Sequence, residues 1–215
     1  MTFGPHAGQP VAEAGSAIDQ ARAAVVMVHG RNAGPANILD LVPRLARPEL
    51  AYLAPAASGR TWYPYSFMAE IASNEPGLSS GLAVLEATVA RVEAAGVPQS
   101  RIVLVGFSQG ACLAAEFAVR HAARFGGVVI FSGGLIGPPG TRWNYPGSFE
   151  GTPVFLGCSD QDSHVPEPRV NESASVFARM GADVTKRIYP GMGHVVNDDE
   201  IAFARTVLDA ASGGR

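Results

Sequence analysis

The chain is poor in cysteine and in charge. It carries two cysteines in 215 residues, Cys112 and Cys158. That is too few for the disulfide framework of a small secreted domain, and both stand in apolar surroundings that suit buried, inert thiols. Charged residues make up 16% against 47% hydrophobic, which excludes a disordered chain. The formal net charge is -3 and no run of Lys and Arg occurs, so there is no electrostatic case for nucleic acid or an anionic membrane surface. No apolar run approaches a membrane span, and residues 1–10 have neither the basic nor the apolar segment of a signal peptide. Clustered histidines and carboxylates at metal-ligand spacing are missing as well, so no metal or organic cofactor is expected. Repeats, linkers and low-complexity stretches are absent. What remains is one compact domain over residues 1–215, cytoplasmic by default, with residues 1–22 as an N-terminal extension or edge strands.

What is present is an alternation of strand-length apolar runs with longer segments of helical period. Six runs read as strands: 23–30, 51–56, 101–107, 127–132, 153–157 and 184–189. Helices are expected over 38–45, 78–95, 109–123, 169–180 and 200–210. In the second of these, Leu78, Leu82, Leu85, Val89 and Val92 recur three or four residues apart, and Gly96 and Pro98 end the pattern. Strands that are nearly apolar throughout and joined by helices imply an α/β fold with a mostly parallel sheet covered on both faces. In such a sheet, the loops beyond the carboxyl ends of the strands form the site.

The third run breaks at Gly106-Phe107-Ser108-Gln109-Gly110 and passes directly into the small-residue segment Ala111-Cys112-Leu113-Ala114-Ala115. Gly-x-Ser-x-Gly alone would arise by chance about 0.2 times in a chain of this composition, so its context carries the argument. Strand, then this motif, then helix is how a serine is held on a sharp turn as a nucleophile, with glycines where side chains would strike the neighbouring strand and helix. Ser108 is the candidate nucleophile. A serine needs a base, and the base needs a carboxylate to fix its tautomer. The fifth run is followed by Asp160 and Asp162, and the sixth by Gly191-Met192-Gly193-His194. The order Ser, Asp, His, each just past a strand, is that of an α/β-hydrolase. His6, in an N-terminal coil, and His121, near a helix end, read as solvated. His164 follows the same strand as the aspartates. Oxyanion donors are expected from the backbone N–H of Gln109 and, in the loop His29-Gly30-Arg31 after the first run, from that of Arg31.

Together, His29-Gly30-Arg31, Gly106-Phe107-Ser108-Gln109-Gly110, Asp162-x-x-Val165-Pro166 and Gly191-Met192-Gly193-His194 resemble the phospholipase/carboxylesterase family of small α/β-hydrolases, which includes the acyl-protein thioesterases. The similarity runs from about Ala23 to the C-terminus. It implies an α/β-hydrolase fold without a large lid and a Ser108, Asp162, His194 triad. In that family the acid stands four residues before the proline of its Val-Pro pair, which selects Asp162 and leaves Asp160 as a loop carboxylate. Two departures stand out: the first loop has His-Gly-Arg-Asn-Ala where thioesterase members tend to carry His-Gly-Leu-Gly-Asp, and Leu156-Gly157-Cys158 replaces a His-Gly. The expected activity is hydrolysis of small carboxylic esters, with short to medium acyl chains or aryl groups. Trp62, Tyr63 and Phe67, in the segment after the second run, are the candidate substrate-binding residues. The alternatives are an acyl thioesterase using the same residues and a small-molecule receptor on a hydrolase scaffold. A homodimer is the base-rate expectation.

Overall fold

The computed structural model describes residues 4–213, so residues 1–3 of the expected N-terminal extension lie outside the described residues. Seven strands form one sheet: β1 (Val11–Gly15), β2 (Ala24–Val28), β3 (Ala51–Pro55), β4 (Ile102–Phe107), β5 (Gly127–Phe131), β6 (Pro153–Ser159) and β7 (Asp183–Tyr189). Their spatial order is β1-β3-β2-β4-β5-β6-β7. Only β1 runs antiparallel, pairing Val11 with Pro55 and Gly15 with Ala51 at the sheet edge. The chain moves outward from β2 to β3, then returns to the far side of β2 as β4. From there β5 to β7 continue in the opposite direction. The reversal lies between β2 and β4, so the loops after these two strands open into one crevice, where parallel sheets bind ligands.

The sheet is covered on both faces because its central strands alternate apolar residues between two cores. Val26, Val28, Leu104, Ile130 and Leu156 pack toward α3 (Gly77–Ala94), α4 (Gln109–Arg120) and α5 (Glu167–Arg179). Val25, Met27, Val105, Val129 and Phe155 face α1 (Pro35–Leu39), α2 (Val42–Leu45) and α6 (Asp198–Ser212). The segment 132–152 buries Leu135, Ile136, Trp143 and Phe149 and so lies against the body. Among the described residues, no helix is long and apolar enough to cross a membrane.

Two expectations are corrected. The single helix expected over 38–45 is two short helices, α1 and α2, divided at Asp40 and Leu41. Pro43 explains the break, since its ring has no N–H to donate to the carbonyl of Leu39 and would collide with it. His6 is not solvated but 2% exposed. Its Nδ1 accepts from the Ser58 N–H at 3.0 Å, and its Nε2 donates to the Trp62 carbonyl at 2.8 Å. It therefore ties the N-terminal segment to the loop after β3.

Candidate active site

Ser108 stands between β4 and α4 with φ 56 and ψ -122, a conformation that non-glycine residues hold only under surrounding constraint. The constraint is visible on both sides. A Cβ on Gly106 would lie 2.5 Å from the Gly110 carbonyl oxygen, and one on Gly110 would lie 2.2 Å from that of Val28. The Ser108 N–H donates to the Phe131 carbonyl at 3.0 Å, and its own carbonyl accepts from Cys112 N–H. The side chain is thus presented at the carboxyl end of the sheet.

His194 follows β7 and its side chain is 18% exposed. Its Nε2 lies 2.8 Å from Ser108 Oγ, and its Nδ1 lies 2.7 Å from Asp162 Oδ2. Because a carboxylate only accepts, Nδ1 carries the proton and Nε2 faces the serine hydroxyl as an acceptor. Asp162 Oδ1 accepts the N–H groups of His164 and Val165 at 2.8 and 3.0 Å. Burial alone would raise the Asp162 pKa, but these bonds and the one from His194 outweigh it and hold the carboxyl below its ordinary value. Asp160 takes a different part. Its Oδ1 accepts the Gly191 N–H at 2.8 Å, which fixes the loop that carries His194. Ser159 Oγ does the same for Gly193 N–H at 3.1 Å. The ring centres of Phe107 and His164 lie 4.9 and 4.8 Å from that of His194, the latter pair at a steep angle of 67°.

The loop after β2 reaches this point closely: a Cβ on Gly30 would touch Ser108 Cβ at 3.4 Å. Neither the Arg31 nor the Gln109 backbone N–H donates to a protein acceptor among the described residues. Both residues also act through their side chains, which the sequence did not reveal. The Arg31 guanidinium donates to the carbonyls of Tyr63, Pro64 and Tyr65 at 2.9, 2.8 and 2.6 Å. The Gln109 carboxamide accepts from Trp62 N–H at 2.9 Å and donates to the Tyr63 carbonyl at 2.8 Å. The loop after β3 is therefore fastened at both ends of the crevice.

That loop lines a cavity of about 480 Å3, together with Ser108, Phe107, Cys112 and Val165. Tyr63 and Phe67 contribute walls, whereas Trp62 does not reach it. Trp62 is fully buried, with Nε1 donating to the His29 carbonyl at 2.9 Å and its ring 5.0 Å from the His29 ring. It supports the site from behind, a correction to its expected place in the pocket. His29 accepts the Ala57 N–H on Nε2 at 3.1 Å, and burial lowers its pKa, so it is a neutral strut. Burial also pushes the Cys112 and Cys158 thiols up to about 12. Both are therefore inert despite lying near the site. Among the described residues, no group of three or more His, Cys, Asp or Glu is placed to hold a metal ion.

The sequence profile of the phospholipase/carboxylesterase family matches residues 10–212. A crystal structure of a phospholipase/carboxylesterase from Dyadobacter fermentans is 41% identical, covers 97% of this chain and 99% of that one, and superposes with a TM-score of 0.91. Acyl-protein thioesterase 1 of Eremothecium gossypii is 31% identical over 143 residues, which are 62% of this chain and 59% of that protein. A probable carboxylesterase of Oryza sativa is 29% identical over 112 residues, 52% and 48% of the two chains. The chain thus spans between about half and three fifths of these two curated relatives.

Proposed function

This chain belongs to the phospholipase/carboxylesterase family, with the α/β-hydrolase fold, and from that premise we propose that it hydrolyses small carboxylic esters through an acyl-enzyme on Ser108. The observation that carries the reading is the unbroken relay of Ser108 Oγ, His194 and Asp162, with contacts of 2.8 and 2.7 Å, at the mouth of an apolar-walled cavity. Ser108 Oγ attacks the ester carbonyl carbon while its proton passes to His194 Nε2. Asp162 stabilises the imidazolium, and the N–H groups of Arg31 and Gln109 receive the oxyanion. The carbon–oxygen bond to the alcohol then breaks, and the departing oxygen takes the proton from Nε2. Water repeats the sequence on the acyl-enzyme, releasing the acid and restoring Ser108.

The acyl group occupies the cavity walled by Tyr63, Phe67, Phe107 and Val165. Its size falls within the range of small-molecule pockets, about 300–1,000 Å3. A thioester reading uses the same atoms and rests on the relative named as an acyl-protein thioesterase. A cytoplasmic setting and a homodimer belong to the proposal as base-rate expectations. The test is turnover of p-nitrophenyl acetate, butyrate and octanoate and the matching thioesters. Esters hydrolysed faster than thioesters, with Phe67→Ala shifting the optimum to longer chains, would support the reading. Thioesters preferred at every length would replace it with the thioesterase.

A further inference from the structure

A second cleft, about 450 Å3 in volume, is also lined by His194. It shares the 30–33 loop, Phe107 and His194 with the acyl cavity, whereas Ser108 and Gln109 line the acyl cavity alone. The chemistry orders the two spaces. The acyl carbon becomes bonded to Ser108, so the acyl chain belongs where Ser108 is exposed. The group that leaves must take its proton from His194, so it departs on the histidine's side.

The lining of the second cleft has an apolar part, Ile38, Leu41 and Val196, and a cationic part, Arg44 and Arg60, with no carboxylate among the lining residues. Val195 at the same cleft is 52% exposed, one of two large hydrophobic side chains so exposed among the described residues. Arg44 is paired with Asp198 at 2.9 Å. Among the described residues, Arg60 meets no carboxylate within 4.0 Å, and its only side-chain hydrogen bond is Nε to the Ala33 carbonyl at 3.4 Å. Arg31 beside it is held by carbonyls alone. Asn37 Oδ1 accepts the Gly34 N–H, which leaves its NH2 as a donor. In a chain of net charge -3, this is a local excess of positive charge next to the proton donor.

Resting on the Ser108 reading above, we propose that this cleft is the leaving-group subsite. It selects esters whose alcohol carries a carboxylate on a short apolar stem. The stem packs on Ile38, Leu41 and Val196, and the carboxylate meets the planar fork of Arg60. One unpaired guanidinium matches one negative charge; a dianionic phosphate would also need Arg44 released from Asp198. When the carbon–oxygen bond breaks, the oxygen takes the Nε2 proton and the hydroxy acid leaves from the cleft.

The test compares kcat/KM, read as butyrate release, for 3-(butyryloxy)propanoate, propyl butyrate and 2-(butyryloxy)ethyl phosphate. We expect the native protein to prefer the carboxylate ester over the propyl ester by about fivefold, the value of a partly exposed ion pair. That ratio should fall toward one in Arg60→Gln, survive in part in Arg60→Lys, and shrink between about 0.05 M and 0.5 M salt. A native ratio of one or below, a ratio unmoved by Arg60→Gln, or a preference for the phosphate ester would overturn the subsite. Propyl butyrate turnover that disappears in Ser108→Ala reports the underlying reading separately. If the native protein cleaves none of the three esters, both fall.

Discussion

Asp162→Asn tests the relay at the atom that sets the proton's position. Oδ1 of Asp162 accepts two backbone N–H groups, from His164 and Val165, whereas Oδ2 faces His194 Nδ1. An asparagine would keep its carbonyl oxygen toward the two N–H groups, since the flipped amide would lose both. Its NH2 then points at Nδ1, which must accept, and the imidazole proton moves to Nε2. The ring would donate to Ser108 Oγ instead of receiving its proton. Presenting the wrong tautomer in a serine triad costs about 10^4 in kcat, or about 5.5 kcal/mol of transition-state stabilisation. Asp160→Asn is the matched control, because an amide oxygen can still accept the Gly191 N–H. Its kcat should stay within about threefold of native, as expected when one neutral hydrogen bond replaces a charge-assisted one. The assay is steady-state p-nitrophenyl butyrate hydrolysis, with thermal melting to verify folding. A larger loss for Asp160→Asn than for Asp162→Asn would refute the assignment of the acid.

Two further outcomes test the scaffold. Glu200 is fully buried and its Oε1 has no hydrogen-bond partner among the described residues. Burial chiefly, opposed by the Asn197 N–H, raises its carboxyl to about 7 from 4.5. The folded chain therefore retains a proton that the unfolded chain has lost, so stability should fall by about 3 kcal/mol as pH rises from below 4.5 through 7. Glu200→Gln should flatten the urea midpoint over that window; parallel slopes in the two proteins would contradict the reasoning. Gly110→Ala places a Cβ 2.2 Å from a backbone oxygen of β2, which cannot yield as a side chain would. It should destabilise the protein by about 1–3 kcal/mol and lower kcat, and an unchanged melting temperature would refute the close approach.

Strands β2 to β6 were legible because each is a nearly unbroken apolar run, whereas β7, at the sheet edge, offers only Val184, Ile188 and Tyr189 as apolar residues. The elbow was legible because glycine spacing encodes a backbone collision. β1 was harder to see, since Val-Ala-Glu-Ala-Gly pairs only at one edge and buries little. The same limit hid His6, whose partners Ser58, Trp62 and Ser80 lie 52 to 74 residues away. Trp62 looked like a pocket residue by its place after a strand. Nothing local indicates that its indole N–H turns inward to His29. The Arg31 clamp and the Arg60 cleft have no motif either, because the loops after β2 and β3 meet only once those two strands pair. Sequence spacing located the candidate triad, whereas the walls of the two cavities depend on long-range packing.

The central claim is that the acyl group is carried on Ser108. Rapid mixing with p-nitrophenyl butyrate, acid quench and mass analysis of the digested protein measures it directly. The expected result is a stoichiometric burst with the butyryl group on the peptide containing Ser108, absent in Ser108→Ala and lost with time in water. A burst that persists in Ser108→Ala, or a label on another residue, would contradict the account. Saturable binding with no burst and no turnover would point instead to a receptor on a hydrolase scaffold.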